Sequence, residues 1–585
     1  MTEPPPEEPA VMKQFLTYMS CEDYFKFQPT AARFEAEIEQ LPTDSTVRIC
    51  GFLEYLRDYG GPLGSDLQRQ ALAAFAPKWL RKDLLAHNQE TGRLFLFEEQ
   101  LLGIMKFAIL GGATEVPDML SEARQKAFFW ALMLYGDLHS SENPIESVDD
   151  AARFELRSLA FVAQEVPGNV MARAYALWID IPGRPEIAAS PYVMDMAGEF
   201  AHAADGHPVT DYITMVGAVR THVGDAVHDS ILESLSRWPF DAAGRFSSSL
   251  RAAELTATMR SFAADRAEMI ALFGEMPPDP KFIGVAMLPF VHRPLYVAEN
   301  GRFLIVSMRL LLDGLYSHAY WRVWEHLKTK HGAEGNALSA QFTQFYGQVL
   351  ERYVVELLSS VYDADGTKRV YAEAEAQPAQ GAADAAVMLD DRVILVEVTR
   401  TELRYFETLL KGDLENLDKD LVRTAAKAKQ VATASQSVQA GTVVYPGHAA
   451  AKDLPIERIV VLPEPLPRFA FMTQRIRAAL QKAGVDPYAT VISVSELEEA
   501  LRAGDLLHLS TQIADWRADP DYADVSLHDF IQLRGRVVPM TERAPYIVQS
   551  AEAFKRKIIQ EMAFDPTSVQ ADAPPASPGG ASQQL

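Results

Sequence analysis

Apolar residues recur three and four positions apart through most of the first 290 residues, the spacing of helices that bury one face. Helical patterns cover 31–59, 67–80, 97–110, 121–135, 151–164, 170–178 and 210–235. Gly and Pro punctuate them at Gly60-Gly61-Pro62, Pro144, Gly168, Pro182-Gly183 and Pro208. No fixed-period repeat is visible. The pattern changes at Arg293, where Arg293–Ala298 and Phe303–Val306 flank Glu299-Asn300-Gly301-Arg302, and Asn-Gly favours a two-residue hairpin turn. A helix over Met308–Lys328, rich in Leu, Tyr and Trp, then leads to a boundary at His331–Gly335. Phe342, Phe345, Tyr346, Val349, Tyr353, Leu357 and Val361 mark the next amphipathic helix.

Two short apolar runs follow, 383–389 and 392–399, split by Asp390-Asp391, and read as a β-hairpin. That turn places Leu389 opposite Arg392, Val387 opposite Ile394 and Asp384 opposite Glu397. Opposed residues on antiparallel strands share a face, with Cβ atoms roughly 4.5–5.5 Å apart. Two carboxylates so placed repel unless a cation lies between them, and a divalent metal preferring oxygen suits the position. Two ordinary surface acids at strand ends are the competing reading. A polar helix near 411–435 comes next, then β-like 442–445 and 458–462, a helix over 469–483, a strand over 490–494 and a helix over 495–503.

The order helix, strands, helix, strand, with Gly347-x-x-x-Glu351 and Asp384-x12-Glu397-x-Thr399, resembles the PD-(D/E)xK nucleases. The likeness is clearest over 293–501, and closest to bacterial nuclease-like proteins with a helical region ahead of the nuclease core. It implies an α/β, restriction-endonuclease-like C-terminal domain with a mixed sheet flanked by helices, behind an all-α N-terminal region. It implies Asp384 and Glu397 as ligands of Mg²⁺ or Mn²⁺, with Glu351 assisting. Helical periodicity by itself favours Glu356 over Glu351; the glycine-led motif favours Glu351, which is taken here.

The chain departs from the family at Thr399, where the motif lysine belongs. A neutral hydroxyl cannot stabilise developing phosphoryl charge as an ammonium does. Arg400 is expected on the opposite strand face. Some family members draw the lysine from the following helix, which makes Lys427 and Lys429 candidates, with Arg423 and Gln430 as phosphate contacts. An ordinary solvated helix face is the alternative reading of those lysines.

Composition narrows the partners. The net charge of −24 disfavours sequence-independent nucleic-acid binding by the whole surface. A local track survives, because no Asp or Glu occurs between Leu421 and Lys452; an alanine-rich helix and a neutral loop explain that run equally well. Two cysteines, Cys21 and Cys50, are too few for a disulfide framework and point to a cytoplasmic location. The longest apolar stretch, 101–110, contains Lys106, so no membrane span is expected. No phosphate-binding loop or dinucleotide glycine motif follows a strand. His139, His202, His207 and His228 lack metal-ligand spacing and read as surface or core residues.

The expected organisation is a disordered start at 1–12, a helical region over 13–290, a connector over 291–334, the nuclease-like domain over 335–562 and a disordered tail over 563–585. The leading expectation is a metal-dependent nuclease acting on DNA, with RNA as the alternative substrate, its helical half recognising substrate or a protein partner. The family likeness adds defence against foreign DNA as a context. A catalytically silent nuclease fold, favoured by Thr399, and an interaction scaffold are the alternatives.

Overall fold

A computed structural model describes residues 19–562, apart from 20, 26–28, 60–65, 92–93, 114–120, 143–146, 148, 151, 154–155, 157–166, 225–229, 239–240, 247–248, 250, 276–286, 400–407, 409–410, 465–469, 487–488 and 520–524. The expected disordered ends, most of the helix expected over 151–164, Arg400 and His228 lie outside the described residues, as does the side chain of His139. The chain is mostly helical, with a helical N-terminal part and a C-terminal mixed sheet of five strands flanked by helices.

Several expected helices break where their own residues require it. The 31–59 pattern divides into Ala31–Ile38 and Thr43–Tyr59 around Pro42, which lacks an N–H to continue the ladder. The 67–80 helix stops at Phe75, ahead of Pro77. The connector helix divides into Met308–Asp313 and Ser317–Lys330 at Gly314, where a Cβ would collide with the Tyr212 hydroxyl. Close approach also explains Gly51: a side chain there would strike the Ile305 carbonyl.

A small sheet holds β1 (Ala263–Asp265), β2 (Leu295–Val297) and β3 (Phe303–Ile305). The β2–β3 hairpin forms, but not with the two-residue turn expected from Asn-Gly. Val297 pairs with Phe303, Ala298 N–H donates to Arg302 O at 2.9 Å and Gly301 N–H to Ala298 O at 2.8 Å. The loop is therefore Glu299-Asn300-Gly301, with Gly301 at φ 78° absorbing the left-handed position of a three-residue connection.

The main sheet runs β4 (Val370–Ala372), β5 (Ala385–Met388), β6 (Val393–Val398), β7 (Ile456–Leu462) and β8 (Thr490–Ser493), in that order. The first three strands are antiparallel and the last three parallel. Parallel strands covered on both faces carry continuous apolar runs, and Val393-Ile394-Leu395-Val396 and Ile459-Val460-Val461-Leu462 are buried throughout. The segment 442–445 forms no strand. Thr442 and Val443 N–H groups close onto Ser437 O at 2.9 and 3.2 Å, leaving only one bridge, between Gln377 and Val444.

Alternation sorts the two faces of the sheet. Ile394, Val396 and Val398 pack into the large core shared with α1 (Gly335–Tyr362) and the helical half. Val393 and Leu395 face the second core, under Ala425, Ala428 and Val431 of the crossover helix α2 (Leu414–Gln439). The larger core runs without interruption from Met19 to Phe554. The last helix, α3 (Pro545–Met562), returns to pack on Pro167–Tyr175 and Val209–Gly224. Arg173 makes a bidentate ion pair with Glu498 at 2.8 and 3.0 Å, and Tyr353 of α1 donates to the same carboxylate at 2.7 Å. No described helix is long and apolar enough to cross a membrane.

Candidate active site at the hairpin end

The Asp390-Asp391 turn sets the register of β5 on β6, since Leu389 N–H donates to Arg392 O at 3.0 Å. Ala385 pairs with Val396, so Asp384 and Glu397 stand opposite each other one step further along. On the other side of β5, Ala372 pairs with Ala385, and Glu373 donates its N–H to Asp384 O at 3.2 Å. Glu373, just past β4, Asp384, just before β5, and Glu397 of β6 thus form a row at one end of the antiparallel strands, on the sheet face covered by α2. Glu373 was not legible in the sequence, because the three residues of β4 carry no clear period.

The helix covering that face delivers a cation. Lys427 Nζ lies 2.9 Å from Glu397 Oε2 and 3.4 Å from Asp384 Oδ2. Asp384 Oδ2 also accepts the Val398 N–H at 2.7 Å, which fixes that carboxylate against the strand. Glu397 is 4% exposed. Burial, then the neighbouring Asp384, push its pKa up to about 8, against the opposing pull of Lys427. For Lys427, burial alone lowers the pKa; Asp384, Glu397 and then Glu351 outweigh it, and the ammonium is held above its ordinary value. Glu373 is raised as well, by burial first and Asp384 second. The Tyr445 hydroxyl, near the Ala383 backbone but in no full hydrogen bond, is pushed up to about 12, chiefly by burial.

Glu351, half-buried on α1, contributes its charge to the field at Lys427. Glu356 is drawn away, as its carboxylate binds Arg184 at 2.7 Å and Arg352 at 2.5 Å. Periodicity favoured Glu356 because the helix is buried on two sides; the arginines occupy one of them. Lys429 does not join the site. Two residues on from Lys427 it is turned by about 200° around the helix, and it is exposed. Arg423 and Gln430, at i−4 and i+3 from Lys427, lie on its stripe and are exposed. Arg423 Nη1 is 3.9 Å from Asp420 Oδ1. Thr399 is buried, and its N–H donates to Val461 O at 2.9 Å.

Among the described residues the carboxylates outnumber the Lys427 ammonium, and their hard oxygens suit a Mg²⁺-like ion that keeps several waters and takes only one or two protein carboxylates. The sign of fit is Glu397, whose carboxyl is raised by burial and by the facing Asp384 despite Lys427, a repulsion that a bound cation would relieve. Comparison of the chain with protein-family models, with curated proteins and with solved structures yields no match.

Proposed function

We propose that this protein is a divalent-metal-dependent phosphodiesterase of the PD-(D/E)xK kind, acting on DNA or RNA. One observation carries the reading: the amine of Lys427 converges on Asp384 and Glu397, two opposed carboxylates on adjacent strands. A helix lysine thereby stands where Thr399 leaves the motif without one.

Asp384 and Glu397 would hold Mg²⁺ or Mn²⁺, which when bound polarises a phosphoryl oxygen and acidifies a coordinated water. Asp384, anchored by the Val398 N–H, keeps a fixed orientation. Lys427 would turn its ammonium to the phosphoryl oxygens as charge builds there, a preorganised electrostatic contribution. Glu351, with Glu373, would orient the attacking water and accept its proton. The water oxygen bonds to phosphorus, one bridging P–O bond breaks, and the leaving oxygen takes up a proton. Arg423 and Gln430, one turn either side of Lys427, would bind neighbouring phosphates. With a net charge of −24, contact with nucleic acid would be confined to this acid-free track. The helical half would select the substrate or a protein partner.

A second reading is a silent nuclease fold that binds nucleic acid or protein. It is favoured by the same ammonium, which already pairs with both carboxylates and occupies the space between them. Incubation with supercoiled and single-stranded DNA in Mn²⁺ separates the two. Cleavage that E397Q abolishes is expected; binding without cleavage identifies the silent fold, and neither activity defeats both.

A further inference from the structure

Away from the sheet, in the helical half, a second group of side chains converges from two distant parts of the chain. The helix Met196–Ala203 carries Glu199 and His202 three residues apart, so both project from one face. The helix Ser317–Lys330 packs beside it, carrying His326 just before its last turn, with His331 just past its end. One ligand atom from each of Glu199, His326 and His331 lies within 4.8 Å of the others. His202 closes the group: its Nδ1 is 3.7 Å from Glu199 Oε2, and its ring stacks towards His326 at 6.3 Å between centroids. The rings of His326 and His331 are 6.2 Å apart.

We propose that Glu199, His326 and His331 bind a divalent transition-metal ion of the zinc type, with His202 or a water as the fourth donor. Two features point to a cation rather than to a chance grouping of surface histidines. The first is the donor set: two or three imidazoles and one carboxylate are a zinc-type combination, whereas Mg²⁺ and Ca²⁺ take oxygen. The second is Glu199 Oε2, which is shielded from solvent and has no hydrogen-bond partner. Its near polar neighbour, His202 Nδ1 at 3.7 Å, stands too far off for a hydrogen bond, and a metal bond in the midst of three imidazoles would give this oxygen a partner.

The geometry requires little rearrangement. Tetrahedral zinc with bonds of about 2.0–2.1 Å spaces its donors about 3.4 Å apart, so the group must contract by roughly an ångström. His331 is exposed and terminates its helix, and a rotation of its side chain can supply that movement. The ion would tie the helix Met196–Ala203 to the end of the helix Ser317–Lys330, immediately before α1 begins. This site is independent of the Asp384–Glu397 pair and differs from it in ligand chemistry.

The test uses full-length protein carrying D384N and E397Q, so that the hard-oxygen pair is out of play. After dialysis against buffered Zn²⁺ with excess Mg²⁺, this variant should retain about one zinc per chain. Replacement with Co²⁺ should give the visible absorption of a tetrahedral ion. Adding H326Q and H331Q should remove both signals and the zinc-induced rise in melting temperature, leaving the metal-free melting temperature unchanged. Should those substitutions prevent folding, E199Q, which removes only the carboxylate charge, carries the same comparison. Equal zinc retention with and without these ligands, or none at micromolar free zinc, would overturn the proposal.

Discussion

Lys427 and Glu397, thirty residues apart, meet through Nζ and Oε2 at 2.9 Å. Glu397 is the first polar residue of β6, after Val393-Ile394-Leu395-Val396, and Lys427 reaches it from the helix that connects β6 to β7. The contact places the Lys427 charge among Glu351, Glu373, Asp384 and Glu397, and that imbalance underlies the predictions for this site.

Added Mn²⁺ should raise the melting temperature of the wild type, because an ion that binds only the folded state stabilises it by RT ln(1 + [L]/Kd), about 2.7 kcal/mol at 100 times Kd. D384N and E397Q should each suppress the response, and E373Q should weaken it. Differential scanning calorimetry across millimolar Mn²⁺ is the check, and an unresponsive wild type would remove the metal from this site.

Loss of the Lys427 ammonium should cost cleavage roughly 10²–10³-fold, the usual effect of deleting one preorganised charge. K427A should still respond to Mn²⁺, whereas K429A, altering an exposed residue turned away from the sheet, should cleave as wild type does. Thr399 shares a strand face with Glu397, so K427A/T399K should recover part of the lost rate. Equal activity of K427A and wild type would exclude this lysine from the chemistry.

In the absence of divalent ions, stability should fall as pH rises from 5 to 9. The Glu397 carboxyl moves from its ordinary 4.5 to about 8 in the folded protein. The folded state therefore holds a proton over that interval which the unfolded chain has released, and the difference disfavours folding as pH rises. This contribution is complete below pH 4.5 and lost as pH passes 8. E397Q should show a flatter profile in urea unfolding between these limits; an identical slope would refute the assignment. Metal affinity should rise over the same interval as the proton leaves.

The pair Arg173–Glu498, with both side chains 0% exposed, joins a helix of the N-terminal half to the helix after β8. Removing either partner strands a buried charge and should cost about 3–5 kcal/mol. The double replacement R173L/E498L should be markedly less destabilising than the sum of the single changes. Urea denaturation with a double-mutant cycle measures the coupling; additive effects would show that the pair is not energetically linked.

The hairpin was legible because its information is local. A two-residue turn between apolar runs determines which residues oppose each other, and Asp384 therefore faces Glu397 whatever surrounds them. The helical character of the first half was legible for the same reason, since the 3.6-residue period needs no knowledge of neighbours. Helix breaks at Pro42 and Pro77 were written in the chain, whereas the Tyr212 hydroxyl that Gly314 accommodates was not.

Tertiary structure decided the rest. The sequence offered Lys427 and Lys429 as equals, and only the burial of Ala425, Ala428 and Val431 against the sheet rotates the helix so that Lys427 points at the carboxylates. Glu356 fitted the apolar stripe better than Glu351 until Arg184, from the helical half, claimed its carboxylate. Glu373 joined the row only when β4 paired with β5, and His202 gained His326 as a neighbour only when two helices far apart in sequence packed together. Local pattern determines backbone conformation and register through steric rules acting over a few residues. Which polar side chains share a site depends on how elements rotate and dock to bury apolar surface, and that balance is struck across the whole core.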